Sequence, residues 1–185
     1  MRNRLLLIFL LVALVQLIVP VKMIMDKENV LSTGTEYKFR TEPIDPNDPF
    51  RGKYIVLNFD ANSFEVQNDS FWHTDEPVYV LLGTDSAGFA KITDLIKQPP
   101  LNEKPDYVKA KIRYAYDNRV TIDYVFNKFY MEETKAPEAE NIYRFANRDT
   151  AQEVYALVNV KEGDAVIKDV MINGVSISKT IRENE

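Results

Sequence analysis

The sequence predicts a mainly β domain, an antiparallel sandwich or partly closed barrel with one packed helix, preceded by a single N-terminal transmembrane helix. Three observations carry that expectation. Arg2 and Arg4 precede an uncharged run, Leu5–Val21, whose only polar residue is Gln16. Short stretches alternating apolar and polar residues then fill most of the chain, the period-two pattern of strands with one wet face. Only one segment, beginning at Pro137, carries apolar residues at helical spacing.

At about 1.5 Å per residue the run reaches roughly 25 Å, near the lower limit for a membrane span. Met23, Ile24 and Met25 lengthen it if Lys22 snorkels to the headgroups. A cleaved signal peptide is the competing reading, but the run exceeds a usual hydrophobic region and no small-x-small site follows it. Basic residues at the first end place the N-terminus in the cytoplasm. Residues 1–25 are therefore expected to anchor the chain in the inner membrane, 26–34 to link, 35–178 to form a periplasmic or extracellular domain, and 179–185 to fray as a polar tail.

Within that domain, Tyr37–Thr41 and Lys53–Asp60 read as strands, as do Val78–Leu82 and Phe89–Leu95 on either side of a Gly83–Gly88 loop. Val108, Ala110, Ile112, Tyr114 and Tyr116 alternate with Lys109, Lys111 and Arg113, which predicts one strand with all five apolar residues on its inner face. Asp117-Asn118 turns it into Val120, Ile122, Tyr124 and Phe126. Ala139, Ile142, Tyr143 and Ala146 mark the helix, with Pro137 in its first turn and Asn147 as its stop. A meander closes the domain: Val154–Val160, a Glu162-Gly163 turn, Ala165–Ile172, and an Asn173-Gly174 turn into Val175 and Ile177.

Composition excludes several function classes. The chain has no cysteine and one histidine, His73, which removes thiol chemistry, disulfides and ordinary zinc sites. Leaving out Arg2, Arg4 and Lys22, the acidic residues outnumber the basic ones by about eight, so nucleic acid and anionic lipid are poor partners. His73 lacks a nucleophile elbow, and the six glycines form no phosphate loop. No cofactor and no metal are expected. Asp45, Asn47 and Asp48 fail the spacing of a calcium loop, and Glu132, Glu133, Glu138 and Glu140 read as acids favouring a helix N-terminus. Phe71, Trp72 and Tyr79 suit a core more readily than a sugar-stacking patch.

The segment richest in constraint is Pro43-Ile-Asp-Pro-Asn-Asp-Pro-Phe-Arg-Gly-Lys-Tyr-Ile-Val-Leu-Asn-Phe59. Its prolines oppose helix formation until Gly52 releases the chain into a strand. Ile55, Leu57 and Phe59 should face the core, leaving Tyr54 and Asn58 on the other face. Asp45, Asp48, Arg51, Gly52, Tyr54 and Asn58 are the candidate binding or loop-locking residues. Arg51 paired with Asp45 or Asp48 makes the loop scaffold; Arg51 facing a cleft makes it a binder.

Gly52-Lys-Tyr-Ile-Val-Leu-Asn-Phe59, introduced by Pro43–Arg51, resembles the motif G-D-Y-x-x-L-x-Y of the GDYXXLXY domain family of bacterial proteins. Lys53 stands where that motif has aspartate and Phe59 where it has tyrosine. The resemblance implies a membrane-anchored extracytoplasmic protein associated with multi-pass membrane proteins, and it supplies no activity and no catalytic residues. The expectation is an accessory or interaction protein acting with a membrane or envelope partner. The alternatives are an envelope hydrolase using Asp45 and Asp48 with Tyr54 or Lys53, and a small-ligand sensor with a pocket behind Tyr54 and Asn58.

Overall fold

A computed structural model describes residues 2–42, 54–100, 105–132, 134–149 and 151–183, the side chains of 2–8, 10, 182 and 183 excepted. Its first element is one unbroken helix, α1 (Arg2–Thr33). The segment expected to link anchor and domain is thus the last turns of that helix. Among the described residues no helix is long and apolar enough to cross a membrane; the uncharged run begins with residues 5–8 and 10, outside the described side chains, and is followed within α1 by Lys22, Asp26, Lys27 and Glu28.

The C-terminal end of α1 is bolted to the domain. Val30 is buried, and the carbonyl of Leu31 accepts a 2.6 Å hydrogen bond from Asn159 Nδ2. Lys161 Nζ donates to Thr33 Oγ1 at 2.7 Å and to Asn29 Oδ1 at 3.2 Å. A helix leaves its last carbonyls unpaired and its C-terminus partially negative; from a distant strand one amide pairs the Leu31 carbonyl and one ammonium sits at the negative end. Gly34 makes the joint sterically possible, since a Cβ there would lie 2.5 Å from the Val30 carbonyl oxygen and 2.9 Å from that of Val160.

From Gly34 the chain enters β1 (Thr35–Glu42), which pairs antiparallel with β10 (Val154–Lys161), Tyr37 opposite Val158 and Phe39 opposite Ala156. The first sheet has the order β12-β11-β10-β1-β3, where β3 is Asn58–Phe59, β11 Asp164–Ile172 and β12 Val175–Ser176. The second has the order β4-β8-β7-β5-β6, with β4 Ser63–Glu65, β5 Pro77–Thr84, β6 Ala90–Ile96, β7 Tyr107–Tyr116 and β8 Arg119–Tyr124. Its outermost strands, β4 and β6, approach each other, so this antiparallel sheet curls almost into a barrel. A two-stranded ribbon of β2 (Tyr54–Val56) and β9 (Lys128–Tyr130) completes the β structure.

The sheets meet over four rings. Phe39, Phe59, Tyr124 and Phe126 are all buried, and every pair among them has centroids 4.8–5.7 Å apart. The tilted and edge-on geometries are those aromatic quadrupoles favour. A parallel bridge between Val108 and Gly163 and a 2.9 Å hydrogen bond from Lys109 N–H to the Gly163 carbonyl tie the sheets at one end. Gly163 has φ +85, and a Cβ there would sit 2.5 Å from the Tyr107 ring. The expected turns at Asp117-Asn118 and Asn173-Gly174 have all four residues at positive φ, as type I′ hairpins require.

The helix α2 (Ala136–Arg148) buries Ala136, Ala139, Tyr143 and Ala146, the face its spacing predicts. Asn147 fastens it, donating to the Glu42 carbonyl at 2.7 Å and accepting from Thr41 Oγ1 at 3.3 Å.

Three expectations are corrected. The strand over 53–60 is broken at Leu57, whose N–H turns to the Asn127 carbonyl at 2.8 Å, so β2 and β3 join different partners. The polar tail is instead a third helix, α3 (Ile177–Glu183); Ile177 and Ile181 share one face and are 0% and 1% exposed. Tyr114 and Tyr116 do not follow Ile112 into the core, because the β7–β8 register shifts between Ile112 and Tyr114. That bulge inserts Arg113 and reverses the facing of the residues beyond it. Ile181→Ala should cost about 2–4 kcal/mol of unfolding free energy, read as a lower urea midpoint; a frayed tail would leave the midpoint where it is.

Candidate functional site

Half of the motif strand builds the core. Ile55, Leu57 and Phe59 are each at most 3% exposed, while Tyr54, Val56 and Asn58 are half-buried. The alternation read from the sequence survives the break at Leu57. Asp45, Asp48, Arg51 and Gly52, with Asn47 and Lys53, lie outside the described residues.

The two remaining candidates do not meet. Tyr54 sits on the β2–β9 ribbon directly opposite Tyr130, their rings 5.4 Å apart, with Lys128 Nζ 4.7 Å from the centre of the Tyr54 ring. This is an outward aromatic and cationic patch. Asn58 lines a small polar cavity of about 120 Å³ on another sheet, with Glu42, Asn62, Arg113, Asp123 and Asn127. Sites for small organic ligands run to about 300 Å³ or more, so this cavity suits a few waters. Arg113 Nε donates to Asp123 Oδ1 at 2.8 Å and Nη2 reaches the same oxygen, which raises the already high guanidinium pKa. Sequence reasoning assigned Arg113 to an outer strand face and missed its role; no local signal marks it, because it continues the polar positions of Lys109 and Lys111.

A second charged group lies where β3 ends. Arg40 Nη1 is 2.9 Å from Asp85 Oδ2, and its guanidinium stacks 3.8 Å from the centre of the Phe89 ring. Asp85 Oδ1 accepts from the N–H groups of Phe89 at 2.8 Å and Ala87 at 2.9 Å. The Phe89 N–H is foremost, with Arg40 also favouring ionisation, in holding the Asp85 carboxyl below the usual range. Asp60, immediately after the motif and at the exposed edge of the domain, behaves oppositely: partial desolvation by its neighbours pushes its pKa up, and the Ala61 N–H and Arg40 offset this only in part. Tyr124 Oη donates 2.5 Å to the Ala61 carbonyl, and burial drives its pKa up, so this tyrosine is a fixed neutral donor.

His73 is exposed, and its backbone N–H donates to Glu76 Oε2 at 3.3 Å. Glu76 also pairs with Lys97 at 2.8 Å. Among the described residues no three His, Asp or Glu side chains gather as a metal site.

The family model described as GDYXXLXY protein matches residues 16–170. The chain belongs to the GDYXXLXY family. No curated protein and no solved structure matches it. In this member of the family, Leu57 and the residue at the motif's final position, Phe59, are core, and Tyr54 is the described motif side chain that reaches the surface.

Asp60 yields a pH-dependent test. Its folded pKa lies above the unfolded one, so its contribution favours the fold below the ordinary aspartate range and is lost as pH rises through the raised value. Asp60→Asn should therefore melt higher than the wild type at pH 7, with the gain gone below about pH 4. Thermal melts across that range decide it; a variant less stable at pH 7 would show that the charge is needed.

Proposed function

We propose that this GDYXXLXY-family protein is a membrane-anchored extracytoplasmic accessory protein that presents its β domain to a membrane or envelope partner, a multi-pass membrane protein being the class the family suggests. One observation carries this reading: α1 has two halves of opposite character. Between Phe9 and Met25 the large apolar side chains of Phe9, Leu11, Leu14, Leu17, Val19 and Met23 are more than half exposed, and at helical spacing they point to every side of the helix. A helix apolar all round is stable only when enclosed by protein or lipid. From Val30 to Thr33 the same helix is fixed to β10.

Pro20 fits lipid as well. It removes one backbone hydrogen bond from the helix interior, a defect that spanning helices accommodate. Arg2 and Arg4 supply the inward positive charge. A domain joined to its anchor without a flexible tether suits an accessory role, because a partner in the same membrane then meets one fixed orientation.

The full chain should stay with membranes after alkaline carbonate washing, and protease added to spheroplasts should digest the domain. Recovery in the soluble fraction, or protection from the protease until the membrane is opened, would overturn the reading. Arg2→Glu with Arg4→Glu should lower the share of domain digested from outside, since the inward positive bias is gone.

A further inference from the structure

The bulge at Arg113 re-aims two tyrosines. Beyond it Ala115 takes the inner position opposite Val120, and Tyr114 and Tyr116 stand outward, 53% and 78% exposed. The register places them in two rows across the outer face of the sheet: Tyr114, Thr121, Ser63 and then Tyr116, Arg119, Glu65. All of these but Ser63 wall a groove of about 540 Å³ that Asn118 also lines, well inside the size range of small-molecule sites. A second groove of about 540 Å³ lies across the Glu65-Val66 ridge and carries Phe71 and Trp72 with Gln67 and Asn68. The ridge is clamped by a 2.8 Å hydrogen bond from Val66 N–H to the Asn118 carbonyl. Bulges that redirect side chains belong typically to functional edges.

We propose that these paired grooves bind a neutral oligosaccharide. A pyranose ring has apolar C–H faces and a rim of hydroxyls, and the site offers matching elements in alternation. The rings of Tyr114 and Tyr116, with the face of Phe71 opposite the Lys97 ammonium that lies 4.0 Å from its centre, supply flat apolar surface with few torsions to freeze. The Thr121 hydroxyl, the Asn118 and Gln67 amides and the tyrosine hydroxyls supply donors and acceptors between them. Charge disfavours an anionic ligand: Arg119 is paired with Glu65 at 3.2 Å and Lys97, beside Phe71 and Trp72, with Glu76 at 2.8 Å, while Asp117 and Asp94 add negative charge to the two grooves. A greasy helix is a poor occupant too, because the walls alternate rings with hydrogen-bonding groups and present no continuous aliphatic surface.

The chain's single tryptophan, Trp72, lines the second groove and reports on occupancy directly. Full-length protein in lauryldimethylamine oxide, a detergent without a sugar headgroup, is titrated with chitotetraose, cellotetraose and maltotetraose while Trp72 fluorescence is followed. At least one tetrasaccharide should give a saturable change at millimolar concentration or below. Tyr114→Ala with Tyr116→Ala should weaken it by about tenfold or more. Phe145→Ala, which removes an exposed ring on α2, should leave it unchanged, and Tyr116→Ser alone repeats the test if the double variant melts early. The proposal fails if no sugar gives saturation up to about ten millimolar, if the tyrosine variants bind as the wild type does, or if tetra-alanine binds as tightly as the best sugar. Binding in micelles is read independently of where the chain resides in the cell, so this outcome and that of the anchoring test stand apart.

Discussion

The contact of Phe39, Phe59, Tyr124 and Phe126 is the constraint around which the domain is arranged. Each ring comes from a different stretch: β1 just after α1, the end of the motif, the last residue of β8, and the connection to β9. Burying four aromatics together contributes several kcal/mol, and none of the four can leave without opening a void that the others line. Their mutual contact fixes how the motif crosses from the β2–β9 ribbon to the edge of the first sheet. It also sets the Tyr124 hydroxyl against the Ala61 carbonyl, which holds the chain just beyond the motif.

The motif therefore divides its labour along the chain. Its alternate residues, Ile55, Leu57 and Phe59, are architecture, and the break at Leu57 sends Tyr54 and Asn58 to separate surfaces. Tyr54 joins an aromatic and cationic patch on the ribbon, and Asn58 a small polar cavity beside the Arg113–Asp123 pair. A conventional strand would have lined both along one groove. The hydrogen bond from Leu57 N–H to Asn127 is what prevents it, and it depends on a residue some seventy positions away in sequence.

Where the sequence was legible, local chemistry decided the structure. Asn173-Gly174 and Asp117-Asn118 could be read as tight turns because few residues tolerate positive φ, and α2 because four residues at helical spacing leave little choice of face. Non-local choices stayed hidden. Ile177 and Ile181 carry the i, i+4 spacing of a helix, yet two apolar positions in a polar tail look like noise without the surface they cover. The bulge at Arg113 was invisible because strict alternation up to Tyr116 predicts an undisturbed strand; only the pairing with β8 reveals the slip. The polar cavity beside Asn58 was equally unreadable, being assembled from separate strand ends and loops.

The joint at Gly34 has a mechanical meaning. Asn159 and Lys161 grip the last turn of α1 while Gly34 passes close to the Val160 carbonyl, so the end of the helix is pinned to the first sheet. If the apolar half of that helix sits in a bilayer, as proposed, its tilt would be passed to the domain. Helices answer changes in hydrocarbon thickness by tilting, and an apolar run of roughly 25 Å is short for a typical membrane. On the proposed anchoring, the thickness of the surrounding lipid would be an input to the direction in which the domain points, and thinning or thickening the membrane would swing its far surfaces toward or away from a neighbour.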